Sequence, residues 1–224
     1  MATAETWLIV AAERREFDGI LDRCGGSTKL EWPGARFACE VKRGSDRWLL
    51  VANGPGALLV RKALERKVDV SRVISTGFCG ALDPALQVGD IVVAGKQPGS
   101  PNSRFATGEI LSADRVAVTA AEKRSLRDKT GAVAVEMEAS AVAQKAAEWG
   151  VPFHCIRVVS DTAAEDLPLD FNLYRDAQGR FSRFRMALAA MARPFTAIPA
   201  LLRLDNNCRC AAAALGEFFA HCQF

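Results

Sequence analysis

The sequence has little of what several common enzyme classes require. It contains only two histidines, His154 and His221, so a Ser-His-Asp triad or a histidine-rich metal site has almost no material. Neither a Walker A motif nor a Gly-x-Ser-x-Gly motif is present, which argues against a P-loop site or an α/β-hydrolase site. The segment 54–56 (Gly-Pro-Gly) resembles the start of a dinucleotide fingerprint. Leu59 stands where its third glycine belongs, so a nicotinamide cofactor is not indicated.

Cysteine pairs, charge of one sign and long apolar runs are also missing. The seven cysteines are odd in number and contain no Cys-x-x-Cys spacing, so neither a disulfide framework nor a zinc ribbon is indicated. The net charge is +3, with 29 basic and 26 acidic residues, which gives no reason to expect a nucleic-acid partner. No apolar run approaches the ~20 residues of a membrane span, and residues 1–6 lack the pattern of a signal peptide. We expect a cytoplasmic protein with reduced thiols.

The sequence does contain a regular alternation of short apolar segments and helical patterns, which is typical of an α/β protein. Predicted strands cover residues 7–12, 36–41, 48–51, 73–76, 90–94, 132–135 and 152–159, and predicted helices cover residues 57–67, 116–128, 138–149 and 211–219. We predict one domain over residues 1–224, with three α/β/α layers around a mixed twisted sheet. From about residue 181 the chain forms a C-terminal helical appendage, which Pro194 interrupts.

Three acidic clusters stand where predicted strands end. Glu13 and Glu16 follow the first strand, Glu136 and Glu138 lie at a strand-to-helix junction, and Asp161 follows strand 152–159. Open α/β sheets bind their ligands at the carboxyl ends of their strands. A single acidic residue at a helix start is often no more than a partner of the helix dipole. Three such clusters at one sheet edge favour a ligand site.

A glycine-bearing segment, Thr76-Gly77-Phe78-Cys79-Gly80, separates two of these clusters. Glycine has no Cβ, so the backbone of such a segment can approach a flat or polar ligand closely. A tight turn between a strand and a helix would use glycine in the same way. On this segment alone, both interpretations stay open.

Three segments together resemble one family. Residues 75–93 resemble the glycine-loop signature of the nucleoside phosphorylase and methylthioadenosine/adenosylhomocysteine nucleosidase family. Residues 134–143 (AVEMEASAVA) resemble its ribose-binding segment, and residues 152–161 (PFHCIRVVSD) resemble its purine-binding strand. They occur in the family's order. The resemblance implies a purine nucleoside phosphorylase-like fold, cleavage of a purine nucleoside, no cofactor or metal, and a homo-oligomer.

The resemblance also implies roles for individual residues. Glu138 would bind the ribose hydroxyls, Asp161 would protonate N7 of the purine, and Glu16 would activate the attacking water, with Glu13 as the alternative base. The substrate-binding residues that it implies are Met137, Glu136, Ser160, Phe153, Thr76, Gly77, Phe78, Cys79 and Gly80. A general acid contributes about a hundred- to ten-thousandfold to such a reaction. Asp161 would have to keep a proton near neutral pH, which requires a desolvated site.

The nucleophile and the branch of the family are less determined. Ser75 and Phe78 stand where phosphorolytic members carry an Arg and a Ser for phosphate. Arg14 and Arg15 would be the substitutes, so water and phosphate both stay open. The short loop after residue 93 and the apolar tail resemble the hopanoid-associated phosphorylase branch, which implies adenosylhopane as the source of adenine.

The apolar tail and the overall function have alternatives. Residues 198–204, with Phe218 and Phe219, would pack against the core or a second subunit, or would make peripheral contact with a membrane. A nucleoside-binding module without turnover and a flavodoxin-like redox protein are the rival functions. Release of free base excludes the first, and a colourless protein argues against the second.

Overall fold

The computed structural model describes residues 4–97, 99, 104–176 and 178–222. In this part of the chain, eleven strands form one sheet. The strands are β1 (Thr6–Ala11), β2 (Ser27–Lys29), β3 (Phe37–Arg43), β4 (Asp46–Ala52), β5 (Arg72–Ser75), β6 (Phe78–Ala81), β7 (Ile91–Ala94), β8 (Ala106–Thr107), β9 (Ile110–Ser112), β10 (Ala134–Glu136) and β11 (Phe153–Asp161). The α-helices are α1 (Asp18–Leu21), α2 (Ala57–Ala63), α3 (Ala120–Thr130), α4 (Ala139–Trp149), α5 (Arg183–Met191) and α6 (Pro194–His221), and 3-10 turns cover Arg14–Phe17 and Phe171–Tyr174.

The sheet is mixed, and its order is β2-β3-β4-β1-β5-β11-β6-β10-β9, with β7 joined to β11 and β8. The central pairs β4-β1, β1-β5, β5-β11 and β11-β6 are parallel. The pairs β2-β3, β3-β4, β6-β10 and β7-β11 are antiparallel. The parallel centre places the carboxyl ends of β1, β5 and β11 at the same edge of the sheet.

Alternation along the central strands divides the core into two halves. In β1, Trp7 and Ile9 face the half that contains α1 and α6, while Leu8 and Val10 face the half that contains α2 and α4. All four side chains are buried, as expected for a strand that is covered on both faces. The predicted three-layer α/β/α arrangement is therefore confirmed.

The C-terminal tail differs from its prediction. Pro194 does interrupt the helical tail, as predicted: α5 ends at Met191, and Pro194 begins α6 at the first turn, where a missing N–H costs nothing. The helix continues for 28 residues past Pro199, so the predicted helix 211–219 is only its second half. That half packs in the central core through Ala211, Leu215 and Phe219, and it belongs to one of the two helical layers.

Close contact between α1 and α6 depends on two glycines. A Cβ atom on Gly19 would lie 1.9 Å from the carbonyl oxygen of Ala212, and a Cβ atom on Gly216 would lie 2.1 Å from the carbonyl oxygen of Gly19. No side chain fits at such distances. The crossing brings α6 onto the segment that follows β1.

Smaller differences concern short elements. Residues 78–81, which overlap the glycine-bearing segment and were not predicted as a strand, form β6 because both neighbours, β11 and β10, supply backbone hydrogen-bond partners. Strands β2 and β9 were not predicted. The predicted helix 116–128 begins at Ala120, where the Thr119 side chain caps it. Part of the predicted loop 97–107 lies outside the described residues. None of the helices described is both long and apolar enough to span a membrane.

Candidate active site

The predicted acidic clusters meet at one cavity of about 680 Å³, a volume that is typical of small-molecule sites. Six carboxylates line its wall, and five of them are the predicted Glu13, Glu16, Glu136, Glu138 and Asp161; the sixth is Asp205 on α6. The five predicted residues come from the ends of β1, β10 and β11, because these strand ends share one edge of the sheet. The structure thus brings the predicted acidic residues together.

Glu16 lies deep in the cavity wall, on the 3-10 turn after β1. Its Oε1 accepts the N–H of Phe78 at 2.8 Å and its Oε2 accepts the N–H of Glu13 at 2.7 Å. Gly77, with φ of +119°, allows this approach, because a Cβ there would lie 2.6 Å from Oε1. Burial raises the pKa of Glu16, and the two backbone hydrogen bonds oppose the shift.

Glu13 occupies the rim of the same cavity. It begins the 3-10 turn, and its side chain caps the turn reciprocally with Glu16. Its Oε2 also lies 3.1 Å from Nε of Arg15, and its side chain is 28% exposed. Of the two candidate bases, Glu16 is the buried one.

Arg157 is the buried cation at the centre of the site, and sequence reasoning did not assign it a role. Its side chain is fully buried, forms an ion pair with Glu136 and lies 3.6 Å from Oε2 of Glu138. It also donates hydrogen bonds to Ser75 and Thr76. Burial alone would lower the pKa of Arg157, but the adjacent carboxylates, Glu136 first, raise it overall. The sequence did contain a signal for this role: an arginine inside an apolar strand is buried, and a buried charge requires a partner of opposite charge.

Glu136 and Glu138 have different surroundings. Glu136 accepts hydrogen bonds from the N–H groups of Glu138 and Ala139, both at 2.8 Å, and from Ser112 and Arg157. Glu138 accepts the N–H of Gly56 at 2.7 Å through Oε1. Burial raises the pKa of Glu138 to about 8, although Arg157 opposes the shift. Glu136 has its acceptors filled by protein, whereas Glu138 keeps capacity for a ligand.

Asp161 forms an ion pair instead of standing as an isolated acid. Its Oδ2 lies 2.5 Å from Nζ of Lys123, and its Oδ1 accepts the Ser160 hydroxyl at 2.8 Å. Lys123 is fully buried on α3 and also donates to the carbonyl groups of Thr162 and Glu165, at 2.7 and 3.0 Å. A register shift in β11 between residues 159 and 161 is typical of a β-bulge, which re-aims side chains. Both Ser160 and Asp161 consequently line the cavity.

Other predicted residues divide between the cavity and its surroundings. Met137, Phe78, Cys79 and Gly80 line the cavity. Thr76 and Gly77 do not line it; they lie behind its wall, where Thr76 accepts from Arg157 and Gly77 adjoins Glu16.

The predicted base contact of Phe153 is wrong. Phe153 begins the nine-residue strand β11, and Asp161 ends it, so the two lie roughly 26 Å apart at about 3.3 Å per residue. Phe153 instead lines a separate cavity of about 430 Å³, beside Cys155 and Ala139.

Two further features of the cavity were not predicted. One part of its wall is apolar and is formed by residues that follow β11, namely Leu167, Phe171, Phe181, Met186 and Leu204. The two arginines after β1 also contact acidic residues. Arg14 lies 3.2 Å from Asp18, and Arg15 lies 3.1 Å from Glu13 and 3.8 Å from Asp205.

Known proteins of one superfamily are similar to this chain. A sequence profile of the phosphorylase superfamily matches residues 95–195. A 5′-methylthioadenosine/S-adenosylhomocysteine nucleosidase from Bacillus cereus is 27% identical over 183 residues, which cover 62% of this chain and 79% of the relative. A relative with the same name from Bacillus thuringiensis matches equally well.

Solved structures share the fold over nearly the whole chain. The nucleosidase from Helicobacter pylori, with 5′-methylthioadenosine in its active site, matches with a TM-score of 0.71, 18% identity and 97% of each chain covered. The nucleosidase from Neisseria meningitidis, in complex with methylthio-immucillin-A, matches with a TM-score of 0.70 and 22% identity, with 97% of each chain covered. The futalosine hydrolase of Helicobacter pylori matches with a TM-score of 0.70 and 18% identity, with 97% of each chain covered. This profile, these relatives and this fold confirm the resemblance to the phosphorylase superfamily and its nucleosidases, and they support an enzyme that cleaves N-glycosidic bonds of nucleosides.

Proposed function

We propose that the protein hydrolyses the N-glycosidic bond of a purine nucleoside and releases the free base. The observation that carries this proposal is the convergence of three buried carboxylates, Glu16, Glu138 and Asp161, on one cavity. Cleavage builds positive charge on the ribose and negative charge on the departing base. Carboxylates near the sugar stabilise the cation, and a proton donor beside the base neutralises the leaving group.

Glu138 and Met137 bind the ribose. Because Oε1 of Glu138 accepts the Gly56 N–H, its Oε2 is the oxygen with more capacity for a ribose hydroxyl. Met137 adjoins it in sequence and lines the cavity, where a flexible thioether suits contact with the sugar. Glu136, whose acceptors are already filled, holds the start of α4 and thereby the position of Glu138.

Asp161 serves the leaving group, and Lys123 is a positioning residue that acts through it. The Lys123 ammonium group donates a hydrogen bond to Oδ2 at 2.5 Å. As the electrons of the C1′–N9 bond move into the base, a proton passes from Nζ through Oδ2 of Asp161 to N7. The Ser160 hydroxyl orients the carboxylate through Oδ1. The pair regains its proton from solvent after the base has left.

Glu16 takes a proton from the attacking water as the water oxygen bonds to C1′. Its buried position and raised pKa suit a base of this kind. Phosphate, with about two negative charges, normally needs a guanidinium group or several aimed N–H groups. Here Arg157 is paired with Glu136, and Arg14 and Arg15 both contact carboxylates. These pairings support water as the nucleophile.

The apolar part of the cavity wall supports a nucleoside with an apolar 5′ substituent. Leu167, Phe171, Phe181, Met186 and Leu204 offer no charged group to such a substituent. Adenosylhopane, which the sequence resemblance implies, carries a large hydrocarbon in this position. Adenine is the base in that compound, and we propose adenine as the preferred base.

A panel of nucleosides tests the proposal. Adenosine, guanosine, inosine and adenosines with 5′-alkyl or 5′-alkylthio groups of increasing length are incubated with the enzyme, and free base is measured. We expect adenine to be released fastest, with kcat/KM rising as the 5′ group lengthens, and Asp161→Asn to lose at least about a hundredfold. Binding without release of base, or a rate of the Asp161→Asn variant near that of the unchanged protein, would contradict the assignment.

A further inference from the structure

The exposed large apolar side chains of this protein lie mostly on two helices. Eight such residues occur in the described part of the chain, and only Leu58 and Leu173 lie elsewhere. The other six lie on α5 and the first half of α6 and define what we call the tail face: Phe184, Leu188, Met191, Phe195, Ile198 and Leu202. Phe195 is 92% exposed and Phe184 is 79% exposed. Exposed large apolar residues that concentrate on two consecutive helices in this way indicate an interaction site.

Between Asp176 and Asp205, the chain carries charge of only one sign. Residues 178–204 contain five arginines, Arg180, Arg183, Arg185, Arg193 and Arg203, and no aspartate or glutamate. Arg185, Arg193 and Arg203 are exposed. Exposed aromatic and aliphatic residues among arginines are typical of helices that lie in a membrane interface. Anionic lipids attract such arginines by electrostatic forces.

The two helices also form part of the cavity wall. Met186 on α5 and Leu204 on α6 line the cavity, two residues along the chain from Phe184 and Leu202 of the tail face. A surface that bound the tail face would therefore lie beside the apolar part of the cavity. An apolar substituent would not have to cross water between that surface and the cavity.

We propose that the tail face docks on the surface of an anionic lipid bilayer and that the enzyme takes its nucleoside from there. The claim about the substrate rests on the proposed function, whereas the docking itself does not. Charge complementarity favours a bilayer over a second copy of the chain. A two-fold interface would bring the tail faces together, and the arginines would then oppose one another without acidic partners from this segment. The proposed contact is peripheral; no helix in the described part of the chain is long and apolar enough to span a membrane.

Vesicle flotation of the full chain tests the docking. Vesicles of phosphatidylcholine alone are compared with vesicles that contain phosphatidylglycerol at about one third, each at low and high salt. We expect binding to the anionic vesicles at low salt, and a loss of about fivefold for each exposed arginine changed to Gln. The double variant Phe184→Ser/Phe195→Ser should lose flotation. Leu58→Ser is the matched control, because Leu58 is 66% exposed on α2, and it should float like the unchanged protein.

Three results would overturn the proposal. The first is an absence of flotation by a chain whose circular dichroism shows it to be folded, and the second is equal flotation by the Phe184→Ser/Phe195→Ser variant. The third is a change from dimer to monomer in that variant with no binding to vesicles at any stage, which would assign the tail face to a second copy. The variant should still release base from water-soluble adenosine at the unchanged rate. A failure of docking is thereby distinguished from a failure of the proposed activity.

Discussion

Two buried ion pairs stand at the site, and they differ in what they leave for a ligand. Arg157 and Glu136 are both fully buried, and each is also bonded to other protein groups. Lys123 is equally buried, but its partner Asp161 keeps 12% of its side chain exposed and lines the cavity. A carboxylate whose acceptors are filled by protein holds the structure. One that is paired on one side and open on the other is available for proton transfer.

The Arg157–Glu136 pair should give the largest effect, and the effect should be on stability. Changing Arg157 to Met leaves buried carboxylates without their cation, which costs about 3–5 kcal/mol in comparable pairs. We expect a loss of that order in the free energy of unfolding, measured by urea denaturation. The double variant Arg157→Met/Glu136→Gln should recover part of the loss. A loss below about 1 kcal/mol for the single change would show that the pair does not hold the site.

The Lys123–Asp161 pair should affect turnover beyond its effect on stability. Removal of the ammonium group in Lys123→Met takes away the group that positions Asp161 and shares its proton. We expect kcat to fall by about ten- to a hundredfold while KM changes little, and Lys123→Arg to restore part of the rate. The pH profile of kcat should also change shape in Lys123→Met, which loss of packing alone would not cause. An unchanged kcat in a folded variant would assign Lys123 a structural role only.

The effect of Glu138 should be visible as a dependence of stability on pH. Its pKa is raised from 4.5 to about 8, chiefly by burial, so the folded protein holds a proton that the unfolded chain releases in this range. Its contribution to stability is complete below pH 4.5 and is lost as the pH rises through 8. The free energy of unfolding should therefore fall less steeply with pH in Glu138→Gln than in the unchanged protein. Urea midpoints at pH 5, 6.5 and 8 measure this slope. Glu16 has a pKa raised in the same direction and should maintain the remaining slope. Equal slopes in the two proteins would contradict the assignment.

Local patterns explain what could be predicted from the sequence. Glu16, Glu138 and Asp161 each follow a predicted strand directly, and a parallel sheet brings strand ends to one edge. The glycine-bearing segment 76–80 lies at the same edge because it follows the parallel strand β5. The errors are also local. Phe153 has the residue type of a base contact but stands at the wrong end of a nine-residue strand. The predicted helix 211–219 is only the second half of α6, which continues past Pro199.

The features that could not be predicted depend on contacts between segments that are distant in the sequence. Lys123 reaches Asp161 across 38 residues of sequence, and a lysine on a helix ordinarily faces solvent. Met186 and Leu204 line the cavity only because α6 crosses α1 at Gly19 and Gly216 and brings the tail to the sheet edge. That crossing has no periodic signature in the sequence.

The identity of the nucleophile tests the central claim most directly. The enzyme is freed of phosphate, supplied with adenosine in water enriched in oxygen-18, and the sugar product is analysed by mass spectrometry. We predict full turnover, with free ribose that carries one labelled oxygen at C1 and with no dependence of the rate on added phosphate. Turnover that rises saturably from near zero as phosphate is added, with ribose 1-phosphate as the product, would contradict the account and would place Arg14 or Arg15 at the nucleophile.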